Sequence, residues 1–271
     1  MIKAALFAIG VLFTSLTFAQ QQPKVLASVH PLALVAASVV ATDDLHTLVP
    51  GHLSPHDFAL RPSDIDRLQQ ADVIIWSGPQ AEPYLRGFVA RWPDKIWLNA
   101  ADYAPEGASD DPHWWLSPTT MRALQAQLAQ HLERSPEPFQ QQLQQALEDS
   151  KALLAPVRER GFYVFHRAYD HWVEALQLNQ LGSLTLSPEH KPGLRTLSKI
   201  RSQLQQGKAH CVFSEPQYDP ALIDSLTQGL NINRAELDPM AAAIVPTADA
   251  YPNYLRQLAQ AAAECLGPLQ P

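Results

Sequence analysis

The sequence predicts an α/β protein built as two similar lobes with mainly parallel central sheets, joined by one long backbone helix. Three observations predict it. Short apolar runs alternate with stripes of helical period along most of the chain. A stretch from Ser135 to Arg158, rich in Gln, Leu and Glu, carries Phe139, Leu143, Leu147 and Leu154 on one face. Beyond that stretch, the alternation of the first half begins again.

In order, Lys24–Val29 reads as a first strand ended by His30-Pro31, and Leu32–Val40 as a helix. His46–Val49 is a short strand closed by Pro50-Gly51. After the loop His52–Asp57, Arg61-Pro62-Ser63-Asp64 starts a helix with Ile65 and Leu68 on its inner side. Asp72–Trp76 and Ile96–Leu98 are the next strands. Ser117 and Pro118 open a helix whose stripe is Met121, Leu124, Leu128 and Leu132. The Ser135–Arg158 helix, about 30 Å long, is expected to end or kink at Pro156. Phe162–Phe165 and Leu181–Leu186 are strands of the second lobe. Leu194, Leu197, Ile200 and Leu204 mark a helix ended by Gly207, and Cys211–Phe213 is the strand after it. A helix capped by Asp219-Pro220 runs to near Gly229, a strand ends over Ala235–Leu237, and the last helix is expected from Ala248 to Leu266.

The first residues read as an export signal: Met1-Ile2-Lys3, an apolar run from Ala4 to Phe18, then Ala19. The run is short for a membrane span. The expected division is therefore a signal peptide at 1–19, an N-terminal lobe at 20–134, the connecting helix at 135–160 and a C-terminal lobe at 161–271. The signal implies export, with no direct membrane anchor. Hydrophobic residues make up 46% and charged residues 17%, which is globular composition, and the net charge is −7. No cluster of Lys and Arg is present, which argues against nucleic acid as a partner. The two cysteines, Cys211 and Cys265, form either a disulfide, compatible with export, or two buried thiols. They lack the CxxC spacing of metal ligands.

The chemistry-bearing residues fall at one kind of place. His56 lies between a strand and a helix, His113 just before a helix, and His166 and Asp238 directly after strands. In an open α/β sheet these positions share the rim at the carboxyl ends of the strands. Two rims facing each other would bring His56 and His113 from one lobe against His166 and Asp238 from the other. Three imidazoles and a carboxylate suit Zn²⁺ and disfavour Ca²⁺ or Mg²⁺. Glu215, which follows a strand, is expected to orient a ligand imidazole or approach the metal, and His30 to support the same cleft. His46, His52, His131, His171, His190 and His210 are expected at the surface or in ordinary hydrogen bonds. Trp114 and Trp115 read as core and lip packing.

These segments carry a family resemblance. Ser54-Pro55-His56-Asp57-Phe58-Ala59-Leu60-Arg61-Pro62-Ser63-Asp64 resembles the first metal-binding segment of the periplasmic zinc-binding proteins of ABC importers, the ZnuA type. Asp111-Pro112-His113-Trp114-Trp115-Leu116-Ser117-Pro118 is similar to their second, and Phe165-His166-Arg167-Ala168-Tyr169 to their third. Cys211–Gln217 is similar to their disulfide-bearing strand and Leu237-Asp238-Pro239 to their last motif. The resemblance implies two lobes bridged by one helix with the metal between them. It further implies the ligands His56, His113 and His166, a monomer, and delivery of Zn²⁺ to an inner-membrane ABC permease. Asp238 is the fourth ligand it suggests, with Glu215 or water as alternatives. Pro55 stands where some relatives have an acidic residue, and the short segment Tyr103–Asp110 lacks the His-rich loop of many zinc-binding relatives.

Competing readings are a manganese or iron importer component, a secreted zinc hydrolase and a binder of an organic ligand. The hydrolase would need a placed general base, and no HExxH motif is present. The expectation is a binding protein and not an enzyme.

Overall fold

The structure, a computed structural model, describes residues 22–268. The signal peptide expected at 1–19 lies outside the described residues. The first half forms a four-stranded parallel sheet from β1 (Val25–Val29), β2 (Leu45–Val49), β3 (Val73–Trp76) and β4 (Ile96–Asn99), in the order β2-β1-β3-β4. The second half forms another from β5 (Phe162–His166), β6 (Gln180–Thr185), β7 (Cys211–Ser214) and β8 (Asn233–Glu236), in the order β6-β5-β7-β8. Every pairing is parallel. The same order in both halves puts a topological switch point beside β1 and beside β5, where α/β sheets bind ligands.

Helices cover the sheets: α1 (His30–Ala36), α2 (Pro62–Gln70), α3 (Arg86–Arg91) and α4 (Pro118–His131) in the first half, and α6 (Asp170–Leu176), α7 (Leu194–Gln205), α8 (Ala221–Thr227) and α9 (Ala250–Leu266) in the second. Between them lies α5 (Glu137–Leu154). Because helices bury both faces, β1 reads VLASV with all five residues buried, a continuous run and not an alternation. Ser117 caps α4 as expected: its Oγ accepts from the Thr120 amide, with Pro118 at the first turn.

Three expectations need correction. The first helix occupies residues 30–36, not 32–40, because Ser38 turns its hydroxyl back onto the Val35 carbonyl (2.7 Å) and the β-branched pair Val39-Val40 follows. His30 thus belongs to the helix start. The helices α3 and α6 were not expected; six and seven residues are too few to show a period. The middle helix has 18 residues and ends at Leu154, two residues before Pro156.

Phe139, Leu143, Ala146 and Leu154 face inward from α5, which lies along α9. One core cluster runs through both halves, from Val25 and Leu32 to Phe139, Tyr251 and Leu258. Its middle is α1, whose residues from Pro31 to Ala36 are all buried and which contacts α9 from the far end of the chain. Cys211 and Cys265 form a disulfide joining β7 to α9. Among the described residues, no helix is long and apolar enough to cross a membrane.

Candidate metal centre

The loops at the carboxyl ends of β2, β4, β5 and β7 converge. Ser54 accepts from the His56 amide and starts a single helical turn, Pro55–Asp57, that presents His56. His113 sits between Pro112 and the buried Trp114-Trp115 pair, and His166 is the last residue of β5. Their ring nitrogens form one group, all within 4.8 Å of one another. Nε2 of His113 lies 3.0 Å from Nε2 of His56 and 3.3 Å from Nε2 of His166. Tetrahedral coordination with Zn–N bonds of 2.0–2.1 Å places ligand nitrogens about 3.3 Å apart.

The opposite nitrogen of each ring meets a carboxylate. His113 Nδ1 donates to Asp111 Oδ1 (2.5 Å), whose other oxygen accepts from the Asp170 amide at the start of α6 (3.1 Å). His166 Nδ1 lies 2.7 Å from both oxygens of Glu215. His56 Nδ1 lies 3.3 Å from Glu189. A hydrogen on Nδ1 of each ring, facing its carboxylate, would leave the three Nε2 lone pairs aimed at one another without a proton between them. That arrangement is repulsive by itself and becomes favourable around a cation.

Burial favours the neutral form of His56 and His166. The His56 pKa falls to about 4, chiefly by desolvation and then by the neighbouring His113 and His166. His166 falls well below its ordinary value, again by burial first. Burial pushes Glu215 well above the usual carboxylate range. Asp111 is also desolvated, which alone would raise it, but the charge and hydrogen bonds of His113 hold it low.

A third buried carboxylate supports the first half's two histidine-bearing loops. Glu82 accepts from Ser28 Oγ (2.7 Å), the Ser77 amide (2.6 Å) and Tyr84 OH (3.1 Å). The Ser77 hydroxyl in turn donates to the carbonyl of Pro112, next to His113 (2.9 Å). The Tyr84 ring packs at a tilt against Phe58, centroids 5.6 Å apart, two residues from His56. Desolvation raises the Glu82 pKa to about 7.

Asp238 stands outside the cluster, contrary to the expectation that it completes the ligand set. Its Oδ1 accepts from Gln217 Nε2 (2.8 Å) and the Met240 amide (2.9 Å), and its Oδ2 from the Ala242 amide (2.5 Å). It folds the turn 238–242, which Trp115 Nε1, Tyr169 OH and Tyr254 OH hold by the carbonyls of Pro239, Leu237 and Asp238. Gly51 of the first half comes so close to this turn that a Cβ there would lie 2.5 Å from Ala242 Cα. His30 is also elsewhere: as part of α1 it donates from Nε2 to the Ile244 carbonyl (2.8 Å), not to a residue of the cluster. Glu215 takes the orienting role of the two expected for it. His46, His52, His131, His190 and His210 are exposed, and His171 is buried, donating to the Asp111 carbonyl (2.7 Å). Asp111 and Glu189 were missed. Asp111, two residues before His113, was visible as a potential Asx-type partner; Glu189 left no signal.

The three imidazoles, Trp115, Tyr218 and Met240 enclose a cavity of about 10 Å³, the size of a single ion or water. His56 and His113 also line an open groove of about 610 Å³ with Phe58, Tyr84, Arg167 and Glu189.

Residues 25–265 match the family model described as "Zinc-uptake complex component A periplasmic". The chain is 33% identical to the high-affinity zinc uptake system protein ZnuA of Yersinia pestis, covering 98% of both chains. It is 29% identical to the protein of the same name from Haemophilus ducreyi, covering 89% of this chain and 93% of the other. A crystal structure of ZnuA superposes with a TM-score of 0.78 at 20% identity, over 91% of this chain and all of that one.

Proposed function

Since the chain belongs to the periplasmic zinc-uptake component A family, whose members are the zinc-binding components of ABC importers, we propose that it captures Zn²⁺ on His56, His113 and His166 and delivers it to an inner-membrane permease. Zinc is the transported substrate, and a water takes the fourth coordination position. In this reading, residues 20–134 and 161–271 act as lobes joined by 135–160, after a signal peptide at 1–19 that directs a monomer to the periplasm.

The observation that carries the reading is the convergence of three Nε2 atoms at a cavity of about 10 Å³. A cavity of that size supports an ion as cargo over an organic ligand or the substrate of a hydrolase. An all-imidazole donor set favours zinc over manganese, which suits oxygen ligands.

The test is metal analysis of the mature protein after chelation and refilling from an equimolar Zn/Mn/Fe mixture. One zinc per chain, lost in His113→Ala, is expected. Retention of manganese in preference to zinc, or of no metal, would overturn the assignment.

A further inference from the structure

Two of the three imidazole–carboxylate pairs are local to one half of the molecule. Asp111 precedes His113 in the same loop, and Glu215 follows β7, the neighbour of β5 that ends in His166. Both carboxylates are buried, with side chains 0% and 1% exposed. The third pair differs. His56 comes from the loop after β2, but Glu189 comes from the turn after β6, in the other sheet. The Glu189 side chain is 39% exposed and lines the groove that leads to the histidines. Among the described residues, it joins a ligand imidazole of one half to a carboxylate of the other.

The turn that presents Glu189 is built. The Thr185 hydroxyl, at the end of β6, lies 2.7 Å from the carbonyls of both Ser187 and His190, and the His190 amide donates to Ser187 O (3.1 Å). Glu189 is therefore held at the apex of a closed loop. It meets the ring at Nδ1, on the side away from Nε2, and so acts on the ion through His56.

We infer that Glu189 is the positioning residue of His56, and that it links retention of the ion to the seating of the β6–α7 turn against the first lobe. With Glu189 in place, the Nδ1 edge of His56 faces a carboxylate 3.3 Å away, which favours the orientation that turns Nε2 to the ion. With the turn displaced, His56 loses its orienting partner while the other two histidines keep theirs. This inference rests on the zinc-binding reading above.

The experiment measures zinc release into excess chelator by stopped flow, and the ring ¹⁵N shifts of the histidines in the zinc-free full chain. Glu189→Ala should release zinc about 10–100-fold faster, the range for loss of an orienting partner, and should alter the ring signals of His56 alone. Glu189→Gln, which keeps an acceptor oxygen, should recover part of the loss. Thr185→Ala combined with Glu189→Ala should be no worse than Glu189→Ala alone, since both act through one contact. Release at the wild-type rate from Glu189→Ala, with unchanged His56 signals, would overturn the inference. A wild-type protein that takes up no zinc would instead overturn the function, and the zinc-free ring spectra would still decide whether Glu189 positions His56.

Discussion

His56 and His113 approach nitrogen to nitrogen: their Nε2 atoms are 3.0 Å apart, and the Nδ1 of each ring is turned to a carboxylate. His113 is the centre of the cluster, since its Nε2 also approaches that of His166. His113→Ala should therefore weaken zinc binding by more than the roughly 100-fold that marks the upper range for an orienting residue. Competition against a chromophoric chelator measures it. A loss below tenfold would mean that the ion sits elsewhere.

At the proposed site zinc would compete with protons for these rings, but not where free histidines would suggest. Ordinary imidazoles would make affinity fall below about pH 6.5. With His56 at about 4 and His166 also far below its ordinary value, both are already neutral across the range from pH 7.5 to 5. Zinc binding in that range should release no proton from His56 or His166, so log Kd should change with pH with a slope well below three. A slope near three in titrations across that range would contradict the buried, neutral rings.

Glu82 should make stability depend on pH in the opposite sense to an ordinary carboxylate. Its folded pKa of about 7 exceeds the unfolded 4.5, so the native state holds the proton more tightly. Its contribution is fully favourable below about pH 4.5 and is lost as pH rises through 7. Glu82→Gln keeps an acceptor for the Ser77 amide and removes the ionisation. Relative to wild type, the variant should gain stability between pH 5 and 8, up to about 3 kcal/mol, as read by denaturant melts. A constant difference across that range would mean that the carboxyl is not buried as described.

Asp238→Asn separates ligation from folding. Its oxygens bind the amides of Met240 and Ala242 and the side chain of Gln217. The variant should lose about 1–3 kcal/mol of stability, while zinc affinity changes less than the tenfold expected from losing even an orienting partner. Calorimetry with zinc reads both quantities. A large loss of affinity without a loss of stability would restore Asp238 as a ligand.

The disulfide between Cys211 and Cys265 closes a separation of 54 residues. In the chain-entropy account that stabilises the protein by about 4 kcal/mol. Reduction should lower the melting temperature, and because Tyr254, which holds the Asp238 carbonyl, lies on the same helix as Cys265, it should also loosen the turn 238–242. Amide hydrogen exchange at Met240 and Ala242 would report that loosening.

The positions of the three histidines were legible because each lies at or after the end of a strand or just before a helix, and parallel sheets gather those places on one rim. Asp238 stands at a comparable place, yet position along the chain does not say where a short side chain turns. There it turns to backbone amides two and four residues on. Glu189 was illegible for another reason. It meets His56 only through the folding of a turn in the other sheet, and no periodicity or motif links the two segments. The helices α3 and α6 escaped because one or two turns contain too few inward positions to repeat.

The burial of α1 beneath α9 also sets an order in time. A chain made from its N-terminus has β1 and α1 available early, but the helix that covers α1 comes from residues 250–266, near the end. Until those residues arrive, the apolar face of Leu32–Ala36 is covered only in part, by α4, and the first lobe is begun first but finished last. A truncation that removes α9 should therefore damage the half of the molecule most distant from it in sequence, and a nascent chain must be kept from aggregating through that face until its last helix is free to dock.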